Sequence, residues 1–255
     1  MGGALLAGWL DQGISSDGVV VVDPHYDAAE APAGVRSFAS AASLPGDFSP
    51  DLILLAVKPQ VMDEVLPPYA RFGKAVFLSI AAGRTIASLA RSLGGDAAIV
   101  RAMPNTPASV RRGATGLIAN DKATEAQKKL CDHLVTAVGE AVWVEDESQL
   151  DAVTAISGSG PAYLFLMAEA LAEAGEKLGL PAAVAEQLAR ATVSGSGELL
   201  RQSSLPAATL RQNVTSPNGT TFAALQVLMQ EGDGLTDLMR RATEAAARRA
   251  RELAG

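Results

Sequence analysis

Two stretches of this chain carry the residue types that could hold a small anion. They are Ser157-Gly158-Ser159-Gly160-Pro161-Ala162-Tyr163 and Asn213-Val214-Thr215-Ser216-Pro217-Asn218-Gly219-Thr220-Thr221. Each sets small hydroxyl residues and glycines directly before a long apolar, helix-forming run. Glycine lets backbone approach a ligand closely. The unpaired N–H groups of a helix start, aided by the helix dipole, favour a carboxylate or phosphate. Helix capping alone uses the same residue types. Two such stretches in one half of the chain point beyond capping, to a ligand site.

The elements that must position these stretches differ between the two halves. The first half alternates strand and helix signals, as an α/β domain does. A helix is already in progress from Met1 to Leu10. Strands are expected at 19–22, 35–38, 52–57, 75–80, 99–103, 113–119 and 142–144, and helices at 59–69, 84–93 and 124–138. After Glu145 no strand signal remains. Helices are expected at 149–156, 161–178, 182–203, 206–212, 220–229 and 235–253. The domains are therefore set at 1–146, dinucleotide-binding and Rossmann-type, and 147–255, helical. The helical half is rich in Ala and Leu and short of aromatics to seal a small core, so burial against a second copy is expected.

Composition narrows the function classes. Of 255 residues, 48% are hydrophobic and 19% charged, which suits a sizeable core and not a disordered chain. A net charge of −7 argues against a nucleic-acid face. The single cysteine, Cys131, excludes an internal disulfide and reads as a buried thiol. Two histidines, His25 and His133, with one distant cysteine do not make a zinc site, so no metal is expected. No apolar run reaches transmembrane length and no secretory leader is evident, so a cytoplasmic protein is expected, with no membrane partner.

The N-terminus carries part of a cofactor signature. Met1-Gly2-Gly3-Ala4-Leu5-Leu6 looks like the tail of a G-x-G-x-x-G fingerprint with its helix. The strand before it and the first glycines are not in the sequence. The next strand, Val19–Val22, ends in Asp23, roughly twenty residues on, where an acidic residue would meet the adenine ribose. Without a central first strand, Val19–Val22 faces a gap. Either a strand lies upstream of Met1, which is the expectation favoured, or the remaining strands close that gap.

With Ala56-Val57-Lys58-Pro59, Met103-Pro104-Asn105-Thr106-Pro107 and the two anion-suited stretches in this order, the chain resembles pyrroline-5-carboxylate reductases over essentially its whole length. The resemblance implies a Rossmann-type domain followed by a helical dimerisation domain. It implies hydride transfer from NADPH or NADH to the C=N bond of 1-pyrroline-5-carboxylate, giving proline, by a dimer or a multiple of dimers. Met1, Gly2, Asp23, Pro24, His25, Ala56, Val57, Lys58, Pro59, Met103, Pro104 and Asn105 would bind the cofactor. Ser216, Gly219, Thr220 and Thr221 would bind the substrate carboxylate. Thr154, near the imine ring, and Thr221 would be the catalytic pair. Asn218 stands where the family usually has glycine, and Asn tolerates left-handed backbone better than most residues. Ser204 stands where many members are acidic, so no contact is carried over there.

Two rivals remain at this stage. A β-hydroxyacid dehydrogenase-like reductase shares the domain plan but needs a lysine on the helical domain; Lys177 is its only lysine and reads as a solvated side chain. A non-enzymatic metabolite-sensing protein would share only the anion-gripping turns. At the cofactor loop, Asp23 would repel the 2′-phosphate of NADPH, and Pro24, His25, Tyr26 and Asp27 supply no lysine or arginine to offset it.

Overall fold

The computed structural model describes residues 1–26 and 31–254. Asp27, at the end of the loop just discussed, lies outside the described residues. The backbone forms two compact units, Met1–Gly158 with Ala247–Gly255, and Ser159–Ala246.

In the first unit, α1 (Gly2–Asp11) precedes β1 (Val20–Val22) and β2 (Arg36–Phe38), which pair in parallel with Val21 opposite Ser37. Then come β3 (Leu52–Leu55), α2 (Met62–Val65), β4 (Val76–Ser79), α3 (Ile86–Leu93), β5 (Ala98–Met103), β6 (Gly113–Ala119), α4 (Glu125–Thr136), β7 (Gly139–Trp143) and α5 (Gln149–Val153). Strands β3 to β7 form one sheet in chain order. Its pairs are parallel except β5 with β6, where Val100 faces Ala119. The remaining strands do not close the gap beside β1: β1–β2 and β3–β7 are separate sheets.

Alternate residues of the larger sheet feed two cores, as the two-residue period of a strand requires. Phe77 and Ile99 pack with Met62, Leu66, Leu89 and Leu93 on one face. Val76, Leu78, Val100 and Leu117 pack with Cys131 and Val135 of α4 on the other. Leu5 and Trp9 of α1 join Leu134 and Val138, and the Trp9 indole donates to the Leu134 carbonyl at 2.7 Å. Val20, Val22 and Ile53 all lie against one further cluster of Leu44, Phe72 and Ala75, which links β1 to β3 through side chains.

The helix expected at 59–69 is broken into a 3₁₀ turn at Pro59–Val61, the short α2 and a second 3₁₀ turn at Pro67–Arg71. Pro67-Pro68 removes two N–H donors and the rings clash with the preceding turn, so a continuous α-helix cannot form. The other elements differ from expectation by a few residues at their ends. The helix expected at 149–156 becomes α5 followed by a wide π-helical turn, Thr154–Gly158. Both stay with the α/β unit because Val153 seats on β6, where a Cβ on Gly116 would lie 2.7 Å from Val153 Cγ1.

The second unit is wholly helical: α6 (Gly160–Lys177), α7 (Ala182–Gln202), α8 (Ala207–Asn213), α9 (Thr220–Leu228) and most of α10 (Leu235–Ala254). α6 and α7 form a hairpin turned by Gly179, whose φ is +97°. They approach closely where Gly175 meets Ala185: a Cβ on Gly175 would lie 3.1 Å from the Ala185 methyl. Leu164, Phe165, Leu166, Leu188, Val227 and Leu228 are exposed in the single chain.

Candidate active site

α1 opens at Met1 with no side-chain cap and no acidic residue in its first turn. Its first N–H groups therefore have no partner within the helix. Gly2 sits against the loop after β3, where a Cβ would lie 3.1 Å from the Ala56 methyl. The helix start and the Ala56–Pro59 loop are thus neighbours, as two cofactor loops need to be. Asp23 follows β1, whose last turn is fixed by Asp23 N donating to the Phe38 carbonyl at 3.0 Å. The Asp23 carboxylate is exposed, and its Oδ1 accepts from His25 N at 2.8 Å, which orients it over Pro24. Uncapped helix N–H groups with no acidic residue in the first turn suit a pyrophosphate, and an oriented carboxylate after the next strand suits a ribose diol. The donor set fits a dinucleotide.

The Met103–Asn105 loop after β5 is joined to the first of the two glycine- and serine-rich stretches. Asn105 Nδ2 donates to the Ser157 carbonyl at 3.1 Å, and Asn105 Oδ1 accepts from Ala114 N at 2.9 Å. Ser157 Oγ donates to the Ala114 carbonyl at 2.9 Å, so this hydroxyl holds β6 rather than an anion. A Cβ on Gly158 would lie 3.0 Å from Met103 Cε, so the turn rests on that methionine. The Thr154 hydroxyl donates to the Leu150 carbonyl at 2.7 Å; toward a ligand it can then act only as an acceptor.

Met103 and Thr154 line one cavity of about 220 Å³ with Ala82, Thr85, Arg101 and Glu147. Sequence reasoning passed over Arg101 and Glu147. Glu147 Oε1 accepts from both Arg101 Nη1, at 2.6 Å, and Ile86 N, at 2.7 Å. The signal was a lone arginine inside the otherwise apolar run Ala98-Ile99-Val100-Arg101-Ala102-Met103, since a charge in a buried strand demands a partner.

The second stretch lies in the helical unit. Ser216-Pro217-Asn218-Gly219 is a tight turn closed by Gly219 N donating to the Ser216 carbonyl at 3.1 Å. Asn218 adopts φ +57°, the left-handed angle this turn needs after proline. Gly219 ends it, and a Cβ there would overlap Ser216 Oγ. α9 follows with neither a side-chain cap nor an acidic first turn, so the first N–H groups, at Thr220 and Thr221, are available to an anion.

A family model for pyrroline-5-carboxylate reductase dimerisation matches residues 147–253. The pyrroline-5-carboxylate reductase of Pseudomonas aeruginosa is 41% identical over 262 residues, covering 100% of this chain and 93% of that protein. The chain belongs to the pyrroline-5-carboxylate reductase family. The Synechocystis enzyme of the same name is 44% identical over 204 residues, covering 80% of this chain and 75% of its own length. A solved pyrroline-5-carboxylate reductase from Coxiella burnetii superposes with a TM-score of 0.92 at 38% identity, covering 99% of this chain and 94% of that one. The Plasmodium falciparum pyrroline carboxylate reductase, solved with NADP bound, superposes with a TM-score of 0.82 at 29% identity, covering 100% and 95% of the two chains.

Lys177 is exposed and pairs with Glu173 at 2.6 Å, a solvated ion pair. It offers no support to the β-hydroxyacid dehydrogenase rival. Among the described residues no group of His, Cys, Asp and Glu is placed to hold a metal ion, and no helix is long and apolar enough to cross a membrane.

Proposed function

We propose that this protein is the reductase that converts 1-pyrroline-5-carboxylate to proline with NADPH or NADH. The observation that carries this is family membership across the whole chain, at 41% identity to a pyrroline-5-carboxylate reductase. The reduced nicotinamide, when bound, supplies the hydride.

The remaining chemistry falls to the chain. α1 at Met1 and Gly2, with Ala56, Val57, Lys58 and Pro59, would hold the cofactor phosphates and ribose. Asp23, Pro24 and His25 would take the adenine ribose, and Met103, Pro104 and the main chain of Asn105 would flank the nicotinamide. Ser216, Gly219, Thr220 and Thr221 would bind the substrate carboxylate through the first turn of α9. A cyclic imine accepts hydride far better when protonated, and solvent can supply that proton. The Thr154 hydroxyl, its own proton held by the Leu150 carbonyl at 2.7 Å, suits an iminium N–H rather than a neutral imine nitrogen. Hydride adds to the imine carbon, the C=N π pair moves to nitrogen, and the secondary amine of proline results. Catalysis is then mainly positioning and charge complementarity.

The cofactor domain is assigned to 1–146 and the helical domain to 147–255; the family match beginning at residue 147 supports that division, while the compact units divide after Gly158, with α5 and the π-helical turn on the α/β side. The exposed apolar residues of α6, α7 and α9 support work as a dimer or a multiple of dimers. A net charge of −7 supports a protein with no nucleic-acid partner, and a cytoplasmic location is proposed with it. The test is oxidation of NADH and NADPH on adding the pyrroline. Oxidation with the imine and none with a β-hydroxyacid semialdehyde supports this reading; the reverse supports its rival.

A further inference from the structure

Asn105, Ala114 and Ser157 close a ring of three hydrogen bonds. Ala114 N donates to Asn105 Oδ1 at 2.9 Å, Ser157 Oγ donates to the Ala114 carbonyl at 2.9 Å, and Asn105 Nδ2 donates to the Ser157 carbonyl at 3.1 Å. We propose that this ring is a positioning device that sets Thr154 against Met103 on the wall of their shared cavity. The side chains of Asn105 and Ser157 act through that geometry and not by touching cofactor or substrate. The inference rests on the reductase reading above.

Three observations carry it. First, Asn105 is 9% exposed and both ends of its side-chain amide are bonded to protein. An amide bonded to protein at both its oxygen and its nitrogen is fixed in orientation and holds structure. Second, Thr154–Gly158 is a π-helical turn, a rare conformation that needs outside support. The ring supplies it by gripping Ser157 at two atoms, Oγ and the main-chain oxygen. Third, the two anchoring atoms of Ala114 belong to β6, which pairs with β5 on one side and with β7 on the other. Ala114 itself faces Glu140 of β7. The turn is therefore fixed to the most constrained strand nearby.

The consequence is local. Thr154 opens the turn, and Gly158 closes it on Met103, where a Cβ would reach within 3.0 Å of the methionine Cε. Met103 and Thr154 line the same cavity. Releasing Ser157 lets the turn relax toward an ordinary α-helix, which shifts Thr154 relative to Met103. Misplacement by about 1 Å costs on the order of a hundredfold in a reaction that depends on orientation.

The test is a kinetic comparison of wild type with Asn105→Ala, Ser157→Ala and the double variant, using NADH and 1-pyrroline-5-carboxylate. The expected result for Asn105→Ala is a kcat lower by roughly ten- to a hundredfold. KM for the imine and Kd for NADH should stay within about threefold, because neither side chain binds ligand. The kinetic isotope effect on kcat with NADH deuterated at both C4 positions should rise as hydride transfer becomes limiting. A merely structural loss would lower the active fraction and leave that isotope effect unchanged. Ser157→Ala should fall in the same direction, and the double variant should fall by less than the product of the two, since the residues share one ring. Unchanged kcat in both single variants overturns the inference. So does a tenfold weaker NADH affinity with kcat at saturation intact, the mark of direct cofactor contact. Turnover by wild type with unchanged variants sinks the ring alone; no turnover by wild type sinks the reductase reading, and the ring with it.

Discussion

The side-chain amide of Asn105 donates to the main-chain carbonyl of Ser157 at 3.1 Å across 52 residues of sequence. It ties the Met-Pro-Asn-Thr-Pro loop to the Ser-Gly-Ser-Gly stretch, two motifs that the sequence shows only as separate punctuation.

Thr221→Ala should raise KM for the pyrroline strongly while leaving cofactor affinity nearly unchanged. Thr221 lies in the uncapped first turn of α9, where its side-chain hydroxyl, the group the substitution removes, would donate to the carboxylate beside the main-chain N–H groups. Losing a donor to a charged carboxylate costs roughly 1.5–3 kcal/mol, about ten- to a hundredfold in KM. Equal losses in cofactor binding, with KM for the imine unmoved, would show that this turn does not hold the substrate.

Asp23→Ser should shift preference toward NADPH. The Asp23 carboxylate, oriented by the His25 amide at 2.8 Å, would place negative charge beside a bound 2′-phosphate. The wild-type protein should use NADH at least as well as NADPH. The ratio of kcat/KM for the two cofactors in both proteins checks this, and a tenfold wild-type preference for NADPH would refute it.

The Cys131 thiol is fully buried, and burial with the nearby Asp132 charge pushes its pKa up to about 12. The native protein should therefore resist alkylation at pH 8 and react only on unfolding. The neutral thiol is favoured in the fold, so its contribution to stability is present below the ordinary thiol pKa of about 9 and is lost as pH rises toward 12. Thiol titration with and without denaturant tests this; rapid labelling of folded protein would contradict it.

Gly139→Ala should destabilise the α/β unit by at least about 2 kcal/mol. Gly139 has φ +155°, and a Cβ there would overlap the backbone of Gly113 on β6. Both obstacles are backbone, which has no rotamer to yield. Denaturant melts of the variant read the loss directly, and an unchanged midpoint would mean that β6 and β7 can separate.

Much of the fold was legible because its signals are local. The four-valine run, the Leu52–Leu55 strand and the short apolar run Val76-Phe77-Leu78 each declare a strand without help from distant residues. The left-handed angle at Asn218 fits the expectation drawn from its type at a position where the family usually has glycine. The break at Pro67-Pro68 was equally local, and an apolar helical period running through it hid the break. The site was less legible where partners are remote. Ser157 looked like an anion donor because its actual acceptor, the Ala114 carbonyl, is 43 residues away. The Arg101–Glu147 pair and the π turn depend on packing that no window of sequence contains.

The most direct measurement of the reaction itself is isotope transfer. The protein is incubated with NADH carrying deuterium at both C4 positions and 1-pyrroline-5-carboxylate, and the product is analysed by mass spectrometry. The expected result is proline carrying one deuterium at Cδ, formed in step with cofactor oxidation. Cofactor oxidation without labelled proline, or no oxidation in the presence of the imine, would contradict hydride transfer to that C=N bond.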